Sequence, residues 1–123
     1  MDFAATRIIT DDVDRLVAFY ERVTGVKANR LHELFAELST PAGKLAISSS
    51  ATAPLLGEGA AQANSNRSVI LDFQVDDVDA LYPTLCDAVD EFVNEPTVMP
   101  WGNKSLLFRD PDGNLVNFFT PMS

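Results

Sequence analysis

Apolar side chains recur at helical spacing in two segments, and each segment follows a short apolar run typical of a strand. In the first half a strand is predicted over 4–10, followed by a helix that begins near Val13 and stops at Gly25. In the second half a strand over 68–75 precedes the second helix. Its apolar stripe consists of Val78, Leu81, Leu85 and Val89. Pro83 falls inside this stripe and predicts a kink or a displaced helix start, because proline has no amide hydrogen to donate.

After each helix the apolar period shortens to that of strands. The predicted strands lie near 28–31, 34–38, 45–47, 92–98, 104–109 and 115–120. The last two strands of each half are separated by a Pro-x-Gly turn, at Pro41 and at Pro111. Each half is therefore predicted to be β-α-β-β-β. The segment 51–66 is rich in Ala, Gly, Ser and Asn and shows no periodicity, which indicates a connection between the halves.

The two halves also share sequence. Asp11–Leu16 reads DDVDRL and Asp76–Leu81 reads DDVDAL, and both place an aspartate where it can cap the first amides of a helix. The later turns, TPAGKL at 40–45 and DPDGNL at 110–115, resemble one another as well. A repeated start and a repeated finish indicate one supersecondary unit present twice. The predicted organisation is a single domain with module one at about 1–50, the connection at about 51–66 and module two at about 67–123.

Composition limits the classes of function. The chain has 123 residues, of which 46% are hydrophobic, enough for one compact domain. Its 18 acidic and 9 basic side chains argue against nucleic acid and anionic membranes as partners. No apolar run approaches the roughly 20 residues of a membrane span, and no secretory leader is visible, so a cytoplasmic location is expected. The single cysteine, Cys86, is interpreted as a buried, inert thiol.

Two motifs resemble a known family. Asp12-Val13, Phe19-Tyr20 and Gly25 in module one, and FRDPDGNL at 108–115 in module two, resemble the vicinal oxygen chelate superfamily. Its members include glyoxalase I, extradiol dioxygenases, fosfomycin resistance enzymes and bleomycin resistance proteins. The resemblance covers nearly the whole chain and implies an α+β fold in which two βαβββ modules form curled mixed sheets around a cavity. It also implies a homodimer.

In metal-dependent relatives the ligands come from the first and last strands of each module. Counting by the family's spacing from the helix caps and the turn glycines gives Ala5, Ile47, Ile70 and Asn117. Three of these are hydrocarbon side chains and one is a neutral amide, whereas zinc, iron or manganese needs imidazole, carboxylate or thiolate. We therefore expect no metal and no other cofactor. His32, the only histidine, lies outside these positions and is expected at the surface.

The same positions define the rest of the predicted cavity wall, because residues i and i+2 of a strand share a face. The wall is expected to contain Ala5, Arg7, Ile9, Leu45, Ile47, Ser49, Ile70, Asp72, Gln74, Leu115, Asn117 and Phe119. One of Phe35 and Glu37 is expected to join it. A mostly apolar wall with a few polar groups is typical of small-molecule sites. The predicted ligand-binding residues are Arg7, Ile47, Ile70, Asp72, Trp101, Asn117 and Phe119.

Three of these residues have alternative roles. Arg7 and Asp72 occupy equivalent positions in the two modules, so they could form a structural salt bridge, or one of them could meet a charged ligand. Trp101 lies in the segment that covers the cavity mouth in relatives. Its ring could stack on a flat or cationic ligand, or pack into the core or rim of the protein. Phe19 and Tyr20 are expected to anchor the first helix.

The leading hypothesis is a metal-independent small-molecule binding protein, similar to bleomycin resistance proteins, that holds a hydrophobic or cationic aromatic compound between the modules. A second hypothesis is a metal-independent lyase or isomerase that uses Asp72, Glu37 or His32 for acid–base chemistry. A third is a non-catalytic interaction module whose cavity is filled by its own side chains. The sequence identifies no catalytic residue, and the expected partners are a small organic ligand and a second copy of the chain.

Overall fold

The computed structural model describes residues 1–122, which fall into two compact units. The first is Met1–Ser65 and the second begins at Asn66. The connection predicted at 51–66 therefore belongs almost entirely to the first unit. Each unit combines one sheet with one longer helix, as the predicted α+β class requires.

The first unit contains a mixed four-stranded sheet in the order β1-β4-β3-β2. Strand β1 runs parallel to β4, and β4, β3 and β2 are antiparallel neighbours. The elements are β1 (Thr6–Thr10), α1 (Val13–Thr24), β2 (Asn29–His32), β3 (Phe35–Ser39) and β4 (Lys44–Ser49). The predicted βαβββ order of module one is confirmed.

The segment after β4 is partly regular, although the sequence predicted no element there. It forms a 3-10 turn at Ser50–Thr52 and a short helix, α2, at Ala53–Leu56. Pro54 lies in the first turn of α2, where its missing amide hydrogen removes no intrahelical bond. Neither element is long enough to produce a periodic pattern, so neither could be predicted from the sequence.

The second unit repeats the arrangement with a divided edge strand. Strand β5 runs parallel to β9, β9 is antiparallel to β8, and β6 and β7 both pair with β8. The elements are β5 (Ile70–Gln74), α3 (Val78–Leu85), β6 (Glu91–Phe92), β7 (Thr97–Val98), β8 (Asn103–Arg109) and β9 (Leu115–Pro121). Among the helices of residues 1–122, none combines the length and the apolar character that crossing a bilayer requires.

The single strand predicted over 92–98 is wrong, because residues 93–96 leave the ladder. Leu107 still receives a backbone hydrogen bond from the amide of Val93, at 2.8 Å. Its own amide, however, donates to the side-chain oxygen of Asn94, at 2.8 Å. Pro96 then has no amide hydrogen to offer β8. The Asn94 side chain thus replaces a backbone carbonyl and divides the edge into β6 and β7.

Both long helices begin at the repeated aspartates, as predicted. A side-chain oxygen of Asp12 accepts a hydrogen bond from the amide of Arg15 at 3.1 Å, and Asp77 accepts one from Ala80 at 3.3 Å. Gly25 ends α1 in the left-handed conformation, with φ of 72°. The duplicated sequence is therefore explained by a duplicated helix start.

The second helix is shorter than its apolar stripe predicted. It ends at Leu85, two residues after Pro83. Proline has no amide hydrogen, so Pro83 makes no intrahelical hydrogen bond as a donor. Val89 is still buried, because its amide bonds to the carbonyl of Leu85 at 2.9 Å and turns the chain back toward the sheet. Cys86 follows the helix end and is exposed, so the interpretation as a buried thiol is wrong.

Ion pairs show which face of each sheet its helix covers. Arg30 on β2 pairs with Asp14 of α1 at 2.7 Å, and Lys104 on β8 pairs with Asp79 of α3 at 2.5 Å. The apolar side chains on these helix-covered faces are almost completely buried, between 0 and 6% exposed. They are Ala36, Leu38, Leu45 and Ile47 in the first unit and Leu106, Phe108, Val116 and Phe118 in the second. The opposite face of each sheet is called the open face below. Most of its side chains are less buried, although Ala46, Ser48 and Ser105 are only 1–3% exposed.

Candidate functional site

The register of β1 and β4 decides which residues form the open face of the first sheet. Arg7 is paired with Ala46 and Ile9 with Ser48, and paired residues of neighbouring strands point to the same side. The open face therefore includes Arg7, Ile9, Phe35, Glu37, Ala46 and Ser48, with Ser39 and Lys44 beside the turn. Ile47 lies on the helix-covered face, so its predicted inward orientation is wrong, as are those of Leu45 and Ser49.

The error comes from a turn that is one residue shorter in module one. There the amide of Thr40 bonds to the carbonyl of Gly43, at 2.9 Å, and the strands pair from Ser39 and Lys44 outward. In module two the turn spans 110–114, closed by a 3.0 Å bond from the amide of Asp110 to the carbonyl of Asn114. Because side chains alternate with a period of two, a shift of one residue exchanges the faces. The counterpart of Asn117 is Ala46.

Two contacts characterise the first open face. The guanidinium carbon of Arg7 lies 5.6 Å from the centroid of the Phe35 ring, within cation–π range. Ser48 is 1% exposed, and its hydroxyl has no hydrogen-bond partner among the described residues. Phe35 and Glu37 both lie on this face, which corrects the expectation that only one of them does. Glu37 is paired with Lys44 at 2.9 Å, which directs its charge toward the turn.

The open face of the second sheet agrees with the predicted alternation. Strand β5 contributes Ile70, Asp72 and Gln74, which pair with Leu115, Asn117 and Phe119 of β9. Strand β8 adds side chains that sequence reasoning missed. These are Ser105, Leu107 and Arg109. Leu107, Leu115 and Phe119 are only partly buried although they are apolar, so this face offers hydrocarbon surface beside its polar groups.

Asp72 and Asn117 form the polar centre of this face. The Asn117 side-chain nitrogen donates to Asp72 Oδ1 at 2.9 Å. An ionised carboxylate can only accept, so this bond fixes the orientation of the amide and leaves its oxygen pointing away from Asp72. That oxygen is buried and has no hydrogen-bond partner among residues 1–122. A buried acceptor without a donor costs about 1–3 kcal/mol.

Trp101 occupies an exposed turn between β7 and β8. The turn is closed by a 2.7 Å bond from the amide of Met99 to the carbonyl of Asn103, and Gly102 adopts a φ of 100°. The Trp101 side chain is 74% exposed, so it does not pack into the core, and the rim and ligand-stacking alternatives remain. Its ring is available for stacking.

The other residues considered from sequence lie away from the open faces or are engaged locally. His32 is exposed at the end of β2, as expected, and its Nδ1 accepts a hydrogen bond from the amide of Leu34 at 3.1 Å. Phe19 and Tyr20 are buried in α1, with ring centroids 5.2 Å apart, and anchor that helix as predicted.

The first unit also contains a polar groove of about 420 Å³ that sequence reasoning did not find. It lies between the β1–α1 connection and the chain that follows β4. Its lining includes Asp11, Ser50, Ala53, Gln62, Asn64 and Ser65. Asn64 has a φ of 58° and donates to Asp11 at 3.4 Å. The segment has no periodicity, so no sequence pattern pointed to this groove.

The residues at the family's metal positions do not fit a transition metal. With the corrected register these positions are Ala5, Ala46, Ile70 and Asn117, which supply three hydrocarbon side chains and one amide. Within residues 1–122, no three or more His, Cys, Asp and Glu side chains are grouped so that they could hold a metal ion. A transition metal requires at least one imidazole, carboxylate or thiolate directed at it.

Comparison with known proteins identifies the family. Residues 2–118 match the sequence model of the Glyoxalase/Bleomycin resistance protein/Dioxygenase superfamily, and the chain belongs to that superfamily. No curated protein sequence matches the chain significantly. The resemblance seen in the sequence is confirmed.

Solved structures show the same fold. A glyoxalase/bleomycin resistance protein/dioxygenase family enzyme from Burkholderia phytofirmans is 21% identical, with a TM-score of 0.88 and 99% and 100% of the two chains covered. A glyoxalase-related enzyme from Fulvimarina pelagi is 17% identical, with a TM-score of 0.82 and coverage of 98% and 88%. A protein of unknown function from Agrobacterium tumefaciens is 23% identical, with a TM-score of 0.85 and coverage of 99% and 95%. The glyoxalase/bleomycin resistance fold predicted from sequence is thus confirmed.

Proposed function

We propose that this member of the superfamily is a metal-independent binding protein for a small, largely hydrophobic or aromatic organic molecule. The observation that carries the proposal is the open face of the second sheet. There Leu107, Leu115 and Phe119 present apolar surface beside a hydrogen-bonded polar pair, Asp72 and Asn117. Apolar walls with few and fixed polar groups are how proteins hold small molecules. Burial of the ligand's hydrocarbon would supply most of the binding free energy, at about 25 cal/mol per Å².

The open face of the first sheet supports the same function. Ile9, Phe35 and Ala46 are apolar, and Arg7 supplies a cation. The exposed Trp101 ring in the second unit adds a surface on which a flat ligand can stack. On the second sheet and its Trp101 turn, the proposal retains Ile70, Asp72, Trp101, Asn117 and Phe119 as ligand contacts. On the first sheet it retains Arg7 and drops Ile47.

The side chains at the family's metal positions support metal independence. Ala5, Ala46 and Ile70 have no atom that can coordinate a cation, and the Asn117 amide is a weak ligand for zinc, iron or manganese. The apolar and amide groups at these positions suit an organic ligand better than a metal ion. The shared metal chemistry of the superfamily is therefore no part of the proposed mechanism.

The proposed assembly is a homodimer in the cytoplasm. Its support is the family resemblance together with exposed apolar side chains at one end of the second sheet. These are Val98, Trp101 and Met122. A second copy of the chain would cover such a surface in the way that self-complementary dimers do.

A thermal-shift screen of hydrophobic and cationic aromatic compounds, run with and without EDTA, tests the proposal. A ligand at about 100 times its dissociation constant should stabilise the fold by about 2.7 kcal/mol, and the chelator should leave the melting temperature and the shift unchanged. Compounds that raise the melting temperature should be recovered unaltered by mass spectrometry. Turnover of such a compound would favour the metal-independent enzyme instead. A shift that disappears with EDTA and returns with zinc or manganese would contradict metal independence.

A further inference from the structure

Arg7 carries a guanidinium that no acidic side chain neutralises. It is exposed on the open face of the first sheet, where its register partner is Ala46. Within residues 1–122, no ion pair or hydrogen bond involves this guanidinium. The carboxylate in the same cross-strand row, that of Glu37, is already paired with Lys44 at 2.9 Å. The Arg7 cation is therefore available to an anion from outside the protein.

A cation–π contact holds the guanidinium in place. Its central carbon lies 5.6 Å from the centroid of the Phe35 ring on β3. Strands two apart in a sheet are separated by about 9.5 Å, so the Arg7 side chain has to cross β4 to reach that ring. It can do so because β4 presents Ala46 and Ser48 there, which are small and only 3% and 1% exposed. A planar guanidinium positioned on a ring loses little conformational freedom when an anion binds it.

The surroundings of Arg7 combine apolar surface with a local excess of positive charge. Ile9 follows Arg7 on the same face, and Ile9 and Phe35 lie on either side of Ser48. Both are only half-buried, so their hydrocarbon is accessible to a ligand. Among the open-face side chains of β1, β3 and β4, two are basic and one is acidic, although the whole chain has a net charge of −9. This face therefore tolerates an anion better than the chain's overall charge suggests.

We infer that the open face of the first sheet binds an organic carboxylate, whose two oxygens accept parallel hydrogen bonds from the Arg7 guanidinium. The planar fork of arginine matches a carboxylate in this way, and such a bidentate pair is stronger than a single contact. The hydrocarbon part of the ligand lies against Ile9 and Phe35. This inference rests on the proposed function, in which the first open face takes part in binding, and it specifies the ligand class. An ammonium group is disfavoured at this position, because it would face the Arg7 cation.

An NMR titration of the backbone amides with three matched probes tests the inference. The probes are 3-phenylpropionate, 3-phenylpropionamide and 3-phenylpropylamine, which share a phenyl ring on a three-carbon chain and differ in the terminal group. The titration is run in about 0.15 M salt, where charges more than about 8 Å apart are largely screened. The carboxylate should shift the amide signals around Arg7 and bind there at least about fivefold more tightly than the neutral amide, since hydrogen bonds to charged groups contribute more. The amine should produce the smallest shifts in the first sheet.

Two variants locate the effect at Arg7. Arg7→Gln removes the charge, and it should abolish the preference for the carboxylate while leaving the affinity for the neutral amide nearly unchanged. Arg7→Lys keeps the charge but removes the planar fork, and it should lower the preference at least about twofold. Arg22→Gln is the matched control, because Arg22 is exposed in the last turn of α1 and its replacement changes the net charge equally. It should behave as the unchanged protein.

The outcomes separate the inference from the proposed function. If the neutral amide binds as tightly as the carboxylate, or if Arg7→Gln leaves the preference intact, the inference is overturned while small-molecule binding stands. An equal loss of preference in Arg22→Gln would overturn it too, because it would show a general effect of net charge. If no probe shifts the amides of the first sheet, the inference is wrong, and the thermal-shift screen decides separately whether the protein binds a small molecule. The spectrum of each variant without probe verifies that its fold is intact.

Discussion

Replacing Phe118 by alanine should lower the free energy of unfolding by about 3–5 kcal/mol, the usual cost of removing a buried aromatic side chain. Phe118 is 1% exposed on the helix-covered face of β9. Its ring centroid lies 5.0 Å from that of Phe108 and 5.6 Å from that of Phe73, in edge-to-face geometry. The variant removes both contacts and leaves a cavity beside α3. Urea unfolding followed by circular dichroism measures the change.

The neighbouring residue is the matched control. Phe119 has the same side chain on the same strand, but it lies on the open face and is only partly buried. Phe119→Ala should cost less than half as much stability as Phe118→Ala, and it should weaken the binding of an aromatic ligand. Equal losses of stability in the two variants would show that the two faces of the second sheet are assigned wrongly.

Ile47→Ala should destabilise the first unit by about 2–5 kcal/mol without changing ligand affinity. Ile47 is completely buried on the helix-covered face, where α1 packs. Ser48→Ala should change stability by less than about 1 kcal/mol, because the Ser48 hydroxyl has no partner to lose. Thermal unfolding and ligand titration of both variants provide the comparison.

These adjacent residues test the corrected register directly. If Ile47→Ala weakens ligand binding while Ser48→Ala costs several kcal/mol, then Ile47 is on the open face after all.

Most of the fold could be predicted because its signals are local. The repeated aspartates cap the helices that follow them, and Gly25 provides the left-handed residue that ends α1. Alternating apolar residues and the two Pro-x-Gly turns located the strands on either side of them. These patterns depend on a few neighbouring residues and on the backbone geometry that each residue type favours.

The face assignment in module one could not be predicted, because it depends on a single residue of turn length. Pro41 and Gly43 have the same spacing as Pro111 and Gly113, but the strands pair one residue earlier in the first turn. Nothing in the residue types shows where the first ladder bond forms. The conclusion on metal ligands was unaffected, since Ala46 replaces Ile47 and both are hydrocarbon.

Other features were missed because they depend on long-range contacts. The Asn94 side chain divides an edge strand by accepting the amide of Leu107, which lies distant in sequence. The bond between Asp72 and Asn117 joins two strands of the sheet, and it leaves one amide oxygen without a partner. Sequence alone placed both residues on the same wall, but it did not show that they form a hydrogen-bonded pair.

The location of a bound ligand tests most directly whether the protein binds a small organic molecule without a metal. We suggest a crystal structure of EDTA-treated protein with a compound that raises its melting temperature. We expect an unaltered molecule against the open face of the second sheet, in contact with Asp72, Asn117 and Phe119. A ligand on the outer surfaces of α1 or α3 or in the groove near Asn64, or a transition metal coordinated by open-face residues, would contradict it.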